Sequence, residues 1–320
     1  MKTYLIHLIL LLNITYIFSQ DFTYVDKTVA DYPKHFDTPQ RLAEQINSDF
    51  STDIDKVRAL YTWITHHVDY DIKEKGKFSH SYDTYKDKIK RNELYRRALS
   101  IRVVAQGKAV CEGYSILFNE TCHALHIKSK VVSGASKTDI KDIGKRYKNN
   151  HTWNIVEIDN KKYLIDTTWG AGSYSTTDKF IRHVDYYYFM TDPQQFIKKH
   201  YPKDYKDSLL DYLIDKDSFS KAAFTYENYS DNFELIKPNN GYLLRNTSNP
   251  IRIKTSHDIK EFYFFLKIKN ENKKILVTQL KQSEDEYSFN IDLVGRRARS
   301  ITLYADDHPI FGFKLAVPKK

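Results

Sequence analysis

The stretch KAVCEGYSILFNETCHAL, residues 108 to 125, holds both cysteines of the chain, Cys111 and Cys122. Cys111 follows Gly107 and stands where a helix begins. At such a position unpaired N–H groups and the helix dipole favour a thiolate over a thiol. A thiolate needs an imidazole with which to exchange protons, and the imidazole needs an acceptor that holds its tautomer. Two segments, HTWNIVEI and YLIDTTW, bring His151 and Asp166 to either side of Asp159-Asn160-Lys161-Lys162. Asp159 and Asn160 tolerate positive φ, so they predict a two-residue hairpin turn. That turn sets Trp153 opposite Asp166 and makes His151 a diagonal neighbour of Asp166 on the same face. Diagonal neighbours lie about 7 Å apart at the backbone, within side-chain reach. A longer loop would shift the register and lose the contact. Cysteine, histidine and aspartate then have one role each in acyl transfer, and the N–H groups at the helix start suit an oxyanion on the acyl carbon.

These residues also carry a family likeness. AVCEGYS, HTWN and YLIDTTWG occur in the order found in the core shared by transglutaminases and related cysteine peptidases, which this chain resembles. The upstream ALYTWITHHVDYD and downstream DYYYFMTDPQQFIKKHYP are similar, more narrowly, to the kyphoscoliosis-peptidase branch. The likeness covers roughly residues 55 to 210. It implies a papain-like α+β fold with Cys111 as nucleophile, His151 as base and Asp166 as orienting residue. It also implies that Tyr114, Trp153 and Trp169 line or support the site. Ala109 and His126 depart from the pattern, standing where relatives often have glycine.

Other residues that might suggest chemistry have plainer readings. Cys122 sits mid-helix beside Leu125 and reads as a small core residue. His123 and His126 have the spacing of a ligand pair, but no carboxylate or cysteine completes a metal site, and no cofactor motif is present. Asp69 and Asp71 alternate around Tyr70 at a helix end. Ser115 lacks the glycine frame of a nucleophile elbow.

The elements that must position the three residues follow from apolar spacing. Leu42 and Ile46, then Val57, Leu60 and Ile64, mark two helices, the second capped by Thr52 or Asp53. ELYRRALSIRVVAQGKAV predicts a third helix ending near Gly107, and Cys111 to Leu125 a fourth. KSKVVSGAS, HTWNIVEI and KYLIDTTW predict strands. Helices followed by an antiparallel run give an α+β class. From about residue 230 short alternating segments separated by Asn, Gly, Pro and Asp predict an immunoglobulin-like β-sandwich. The expected organisation is therefore a signal peptide over 1–20, a transglutaminase-like domain over 21–230 and a β-sandwich over 231–320.

Residues 1–20 place Lys2 before an apolar run that closes on Phe18-Ser19-Gln20, the order of a secretory signal cleaved near Ser19 or Gln20. The run is too short to span a membrane. A secreted or periplasmic protein is expected. In an oxidising compartment paired cysteines usually join, but on one helix Cys111 and Cys122 stand roughly 16 Å apart, beyond the ~7 Å that a disulfide allows. The formal charge of +9 is spread along the chain, with no basic arm, so nucleic acid is not an expected partner. The expected substrate is a protein or peptide. Hydrolysis of an amide through a thioester at Cys111 is the first reading; glutamine transamidation or deamidation is the second. A catalytically idle protein- or glycan-binding module, using the sandwich as a contact surface, is the alternative of another class.

Overall fold

Thr38 and Thr52 each accept a backbone N–H in the first turn of a helix, from Arg41 and Asp55, the usual remedy for donors that lack an intrahelical partner. The helices they cap, Pro39–Asp49 and Asp53–His67, are the two predicted by apolar spacing. The protein is described by a computed structural model over residues 21–74, 85–174, 179–268, 271–294 and 298–317. The expected signal peptide lies outside the described residues. Among them no helix is long and apolar enough to cross a membrane.

The helix Tyr85–Gln106 ends at Gly107, whose φ of +63° is left-handed. Glycine takes that conformation without a Cβ penalty, and a Cβ here would stand 2.7 Å from the His67 carbonyl oxygen. The chain then pairs Lys108–Ala109 in parallel with Asp69–Tyr70 and enters the helix Cys111–Ala124. This helix lies on a five-stranded sheet, packing against Lys128–Ser136 and His151–Ile158. The strand order is Phe189–Thr191, Lys161–Ile165, His151–Ile158, Lys128–Ser136, His200–Pro202, each pair antiparallel. Leu117, Phe118 and Cys122 from the helix and Val132, Trp153 and Val156 from the sheet share one buried cluster with Leu60 and Trp63.

The hairpin has the expected register, Asn154 opposite Ile165 through to Ile158 opposite Lys161. Asp159 and Asn160 have φ of 50° and 61°, the two positive values that this tight turn requires. One expectation fails here. The strand predicted to run to Trp169 stops at Ile165, because Asp166 caps the short helix Thr167–Ala171 instead. Its Oδ1 accepts the N–H groups of Thr168 at 2.9 Å and Trp169 at 3.1 Å, which draws the backbone out of the ladder.

The C-terminal region is a β-sandwich of a six-stranded and a four-stranded sheet. Ser248–Lys254 alternates buried and exposed positions along its length, as a strand with one face inward must. Phe262 and Phe264 of one sheet meet Phe289 of the other at ring distances of 5.0 and 6.5 Å. The stretch KKILVTQLK divides at Val277 between Glu271–Leu276 and Thr278–Ser283, one in each sheet. The larger sheet takes in Phe224–Thr225, upstream of the expected division, by pairing it with Gly312 and Phe311. Tyr226 N–H donates to the Ile310 carbonyl and Lys314 Nζ to that of Ile143, so backbone and side-chain bonds both cross the seam between the two regions.

Candidate active site

The hairpin and the helix start meet where the sequence predicts. His151 opens its strand with 7% of its surface exposed, and Asp166 is fully buried. His151 Nε2 lies 2.6 Å from Asp166 Oδ2. With Nε2 engaged there, Nδ1 is the ring atom left for Cys111, whose half-buried thiol is hydrogen-bonded to the imidazole. Cys111 is the first residue of its helix, with Val110 as N-cap, so its own N–H and that of Glu112 have no partner four residues back.

The charges reinforce one another. Burial alone would raise the Asp166 carboxyl, but the charge and hydrogen bond of His151, with a hydrogen bond from His200, hold it well below the carboxylate range. Burial also disfavours a charged His151, yet Asp166 and then Cys111 outweigh it and raise the imidazole to about 10. For Cys111, burial pushes upward and is overcome by the hydrogen bond and charge of His151 and a hydrogen bond with Thr152, so the thiol is lowered. The arrangement favours a thiolate–imidazolium pair oriented by a buried carboxylate.

The three aromatic residues expected at the site differ in place. Trp169 is half-buried and lines the cleft, with its ring 5.5 Å from that of His151. Trp153 is buried beneath, 6.0 Å from His151, and lies over Gly134, where a Cβ would come within 2.4 Å of its ring. Tyr114 does not reach the cleft; its hydroxyl donates to the Val68 carbonyl, tying the Cys111 helix to the end of the Asp53–His67 helix. Trp153 and Tyr114 support the site, and Trp169 lines it.

Three residues were not singled out by sequence. Thr152 interacts with the thiol and receives a 3.2 Å hydrogen bond from Ser115 Oγ, one turn along the helix; its neighbour position to His151 was the available signal. Tyr70 is pushed up to about 12 by burial and then by the charge of Cys111; the pairing of its strand with Lys108–Ala109 carries it there. His200 reaches Asp166 Oδ2 from the far edge strand at 3.0 Å, and no local pattern announces that. His151, Asp166 and His200 together offer three atoms of the kind that bind metals, within 4.8 Å of one another. Both imidazoles already hydrogen-bond one carboxylate oxygen, so the cluster is joined directly.

Tyr70, His151 and Trp169 open onto a cleft of about 900 Å³ that Phe224, Tyr226 and Glu227 also line. The cleft is therefore walled partly by the segment that enters the sandwich sheet.

Residues 40–166 match the model of the transglutaminase-like superfamily. Among curated proteins, human kyphoscoliosis peptidase is 30% identical over 172 residues, covering 53% of this chain and 24% of that one. The Caenorhabditis elegans Lim and transglutaminase domain protein ltd-1 is 27% identical over 196 residues, covering 57% and 25%. Hillarin of Drosophila melanogaster is 24% identical over 199 residues, covering 57% and 22%. The chain thus spans about a quarter of the length of these relatives. A solved TGase structure overlays on 55% of this chain and 38% of its own at 20% identity and a TM-score of 0.27, a likeness too loose to bear on function.

Proposed function

We propose that this chain is an exported cysteine enzyme that hydrolyses amide bonds in a protein or peptide through a thioester at Cys111. The observation that carries the reading is the contact chain from Asp166 through His151 to the thiol, in which all three members are present, buried or half-buried, and mutually bonded. An idle binding module would have no need to keep a lowered thiol against a raised imidazole. The Cys111 thiolate attacks the acyl carbon, and the charge on the carbonyl oxygen is met by N–H groups of the first helical turn. As the C–N bond breaks, imidazolium of His151 gives its proton to the leaving nitrogen. Water then enters, surrenders a proton to His151 and attacks the thioester; the acid departs and the thiolate–imidazolium pair returns. The buried Asp166 carboxylate keeps the ring aimed throughout.

Transfer to an amine instead of water is the second reading, favoured by the match to the transglutaminase-like model. Incubation with a peptide library, with and without an added primary amine, separates the two by mass spectrometry of the products. Shortened peptides or glutamate in place of glutamine indicate hydrolysis, and adducts of the amine indicate transfer. Neither product, from a protein whose Cys111→Ala variant is equally silent, removes the proposal.

A further inference from the structure

His200 is a buried titratable group that the acyl-transfer steps leave unused. It is 1% exposed and held among aromatic rings: stacked on Phe196 at 4.0 Å, with Trp169 at 4.3 Å and Trp153 at 5.3 Å. Its Nε2 points at the oxygen that His151 uses, Asp166 Oδ2, at 3.0 Å. A carboxylate has about four lone-pair sites, and those of Asp166 are filled: two backbone N–H groups on Oδ1, two imidazoles on Oδ2. Such a carboxylate has no free direction in which to turn.

Resting on the assignment of Cys111 as nucleophile, we propose that His200 is a positioning residue: a neutral imidazole that donates its Nε2–H to Asp166 Oδ2 and so fixes the oxygen that orients His151. Neutrality matters, because a second imidazolium would compete with His151 for the carboxylate charge. The surroundings keep it neutral. Burial comes first, and the nearby cations His151 and Lys199 add to it against the pull of Asp166, lowering His200 to about 4. Lys199 is ion-paired with Glu227, and Glu227 also accepts the Tyr188 hydroxyl at 2.6 Å, so these groups largely satisfy one another. At the other end of the relay, the thiol faces His151, Thr152, Asp166 and Tyr70.

The test uses the full chain and needs no substrate. The rate of iodoacetamide labelling of Cys111 is followed from pH 4 to 9, with Cys122 as internal control. His200→Phe keeps the stack on Phe196 and removes the donor; His200→Gln places an amide N–H near the original Nε2. With Asp166 less firmly held, His151 pairs less well with the thiolate. The acid limb in His200→Phe then moves up by about one pH unit, toward that of an ordinary thiol, and labelling at pH 6 falls about tenfold with the thiolate fraction. His200→Gln returns most of both. The far-downfield proton resonance of the His151–Asp166 hydrogen bond should shift or broaden in His200→Phe and recover in His200→Gln. A folded His200→Phe with a wild-type limb, or with a limb displaced downward, overturns the proposal. If that variant does not fold, His200→Asn, whose shorter amide cannot reach Asp166, serves in its place with the same expectations. Equal labelling of Cys111 and Cys122 in the wild type would instead remove the nucleophile assignment on which the inference stands.

Discussion

Cys111 and Cys122 stand at opposite ends of one helix, and they have opposite environments. At the first end the helix offers unpaired N–H groups, and the thiol meets an imidazole that a buried carboxylate keeps charged. At the other end Cys122 is wholly buried among Leu117, Phe118 and Ile127 in the helix–sheet core. Burial there pushes its thiol up to about 12, with only a hydrogen bond to Ser129 opposing. Burial acts on both cysteines in the same direction. What separates them is a charged partner, which one has and the other lacks. The reactivity proposed for Cys111 belongs to a placement, set by a hairpin turn some distance along the chain, rather than to the residue type.

The largest effect that would break this contrast is loss of turnover. Cys111→Ala should abolish it, whereas Cys122→Ala should keep it and cost about 1–2 kcal/mol in urea denaturation through the small cavity left behind. A Cys122→Ala protein without activity but with an intact fold would show that the two ends are not separate. Next comes the orienting carboxylate. Asp166→Asn sets an amide N–H₂ against N–H donors on a site where both oxygens accept. In a well-studied serine protease the corresponding swap costs up to roughly 10⁴ in turnover; a loss of about 10²–10⁴ is expected here, with about 1–3 kcal/mol of stability from the unmatched buried donor. Wild-type turnover of any accepted substrate by this variant would mean that the third residue lies elsewhere.

The pH dependence of stability sharpens the comparison, because the two histidines on Asp166 move in opposite senses. His200 is lowered to about 4 from 6.5. The unfolded chain binds a proton there before the folded one does, so stability is lost as pH falls from about 6.5 to 4, by up to about 3 kcal/mol. His151 is raised to about 10, so its contribution is full below about 6.5 and is lost as pH rises through 10. Denaturant midpoints at pH 4.5, 7 and 10 should therefore peak at the middle value, and His200→Gln should flatten the acid side alone. An acid side as steep in His200→Gln as in wild type would assign that loss to other groups.

The smallest effect concerns the quiet end of the helix. His126 has a φ of +61°, a conformation that costs a side chain about 1 kcal/mol. His126→Gly should raise stability by about that much and leave Cys111 labelling unchanged. Altered labelling would reveal a coupling between the two ends.

Much of the site is legible in sequence because its geometry is local. Asp159-Asn160 fix the hairpin, the hairpin fixes which residues share a face with His151, and Gly107 ends one helix so that Cys111 can begin another. What is not legible is equally physical. His200 arrives on an edge strand paired to Lys128–Ser136, a contact made by strands far apart in the chain and marked by no spacing within either. Asp166 reads as a strand residue until one sees that two backbone N–H groups compete for its carboxylate. Phe224–Thr225 is too short a segment to declare its sheet, and Thr278–Ser283, exposed along its whole length, has no apolar alternation to separate it from its neighbour.

The pairing of Phe224–Thr225 with Phe311–Gly312 has a consequence for biosynthesis. The thiol helix, the hairpin and both histidines precede His308–Ala316 in the chain, so they are translated before the strand partner of Phe224. His308–Ala316 holds Phe224–Thr225 in its sheet, while Glu227 is tied to Lys199 and Tyr188 of the first domain, so this wall of the cleft joins an early part of the chain to a late one. The strand that completes this wall is the last of the described elements to leave the ribosome.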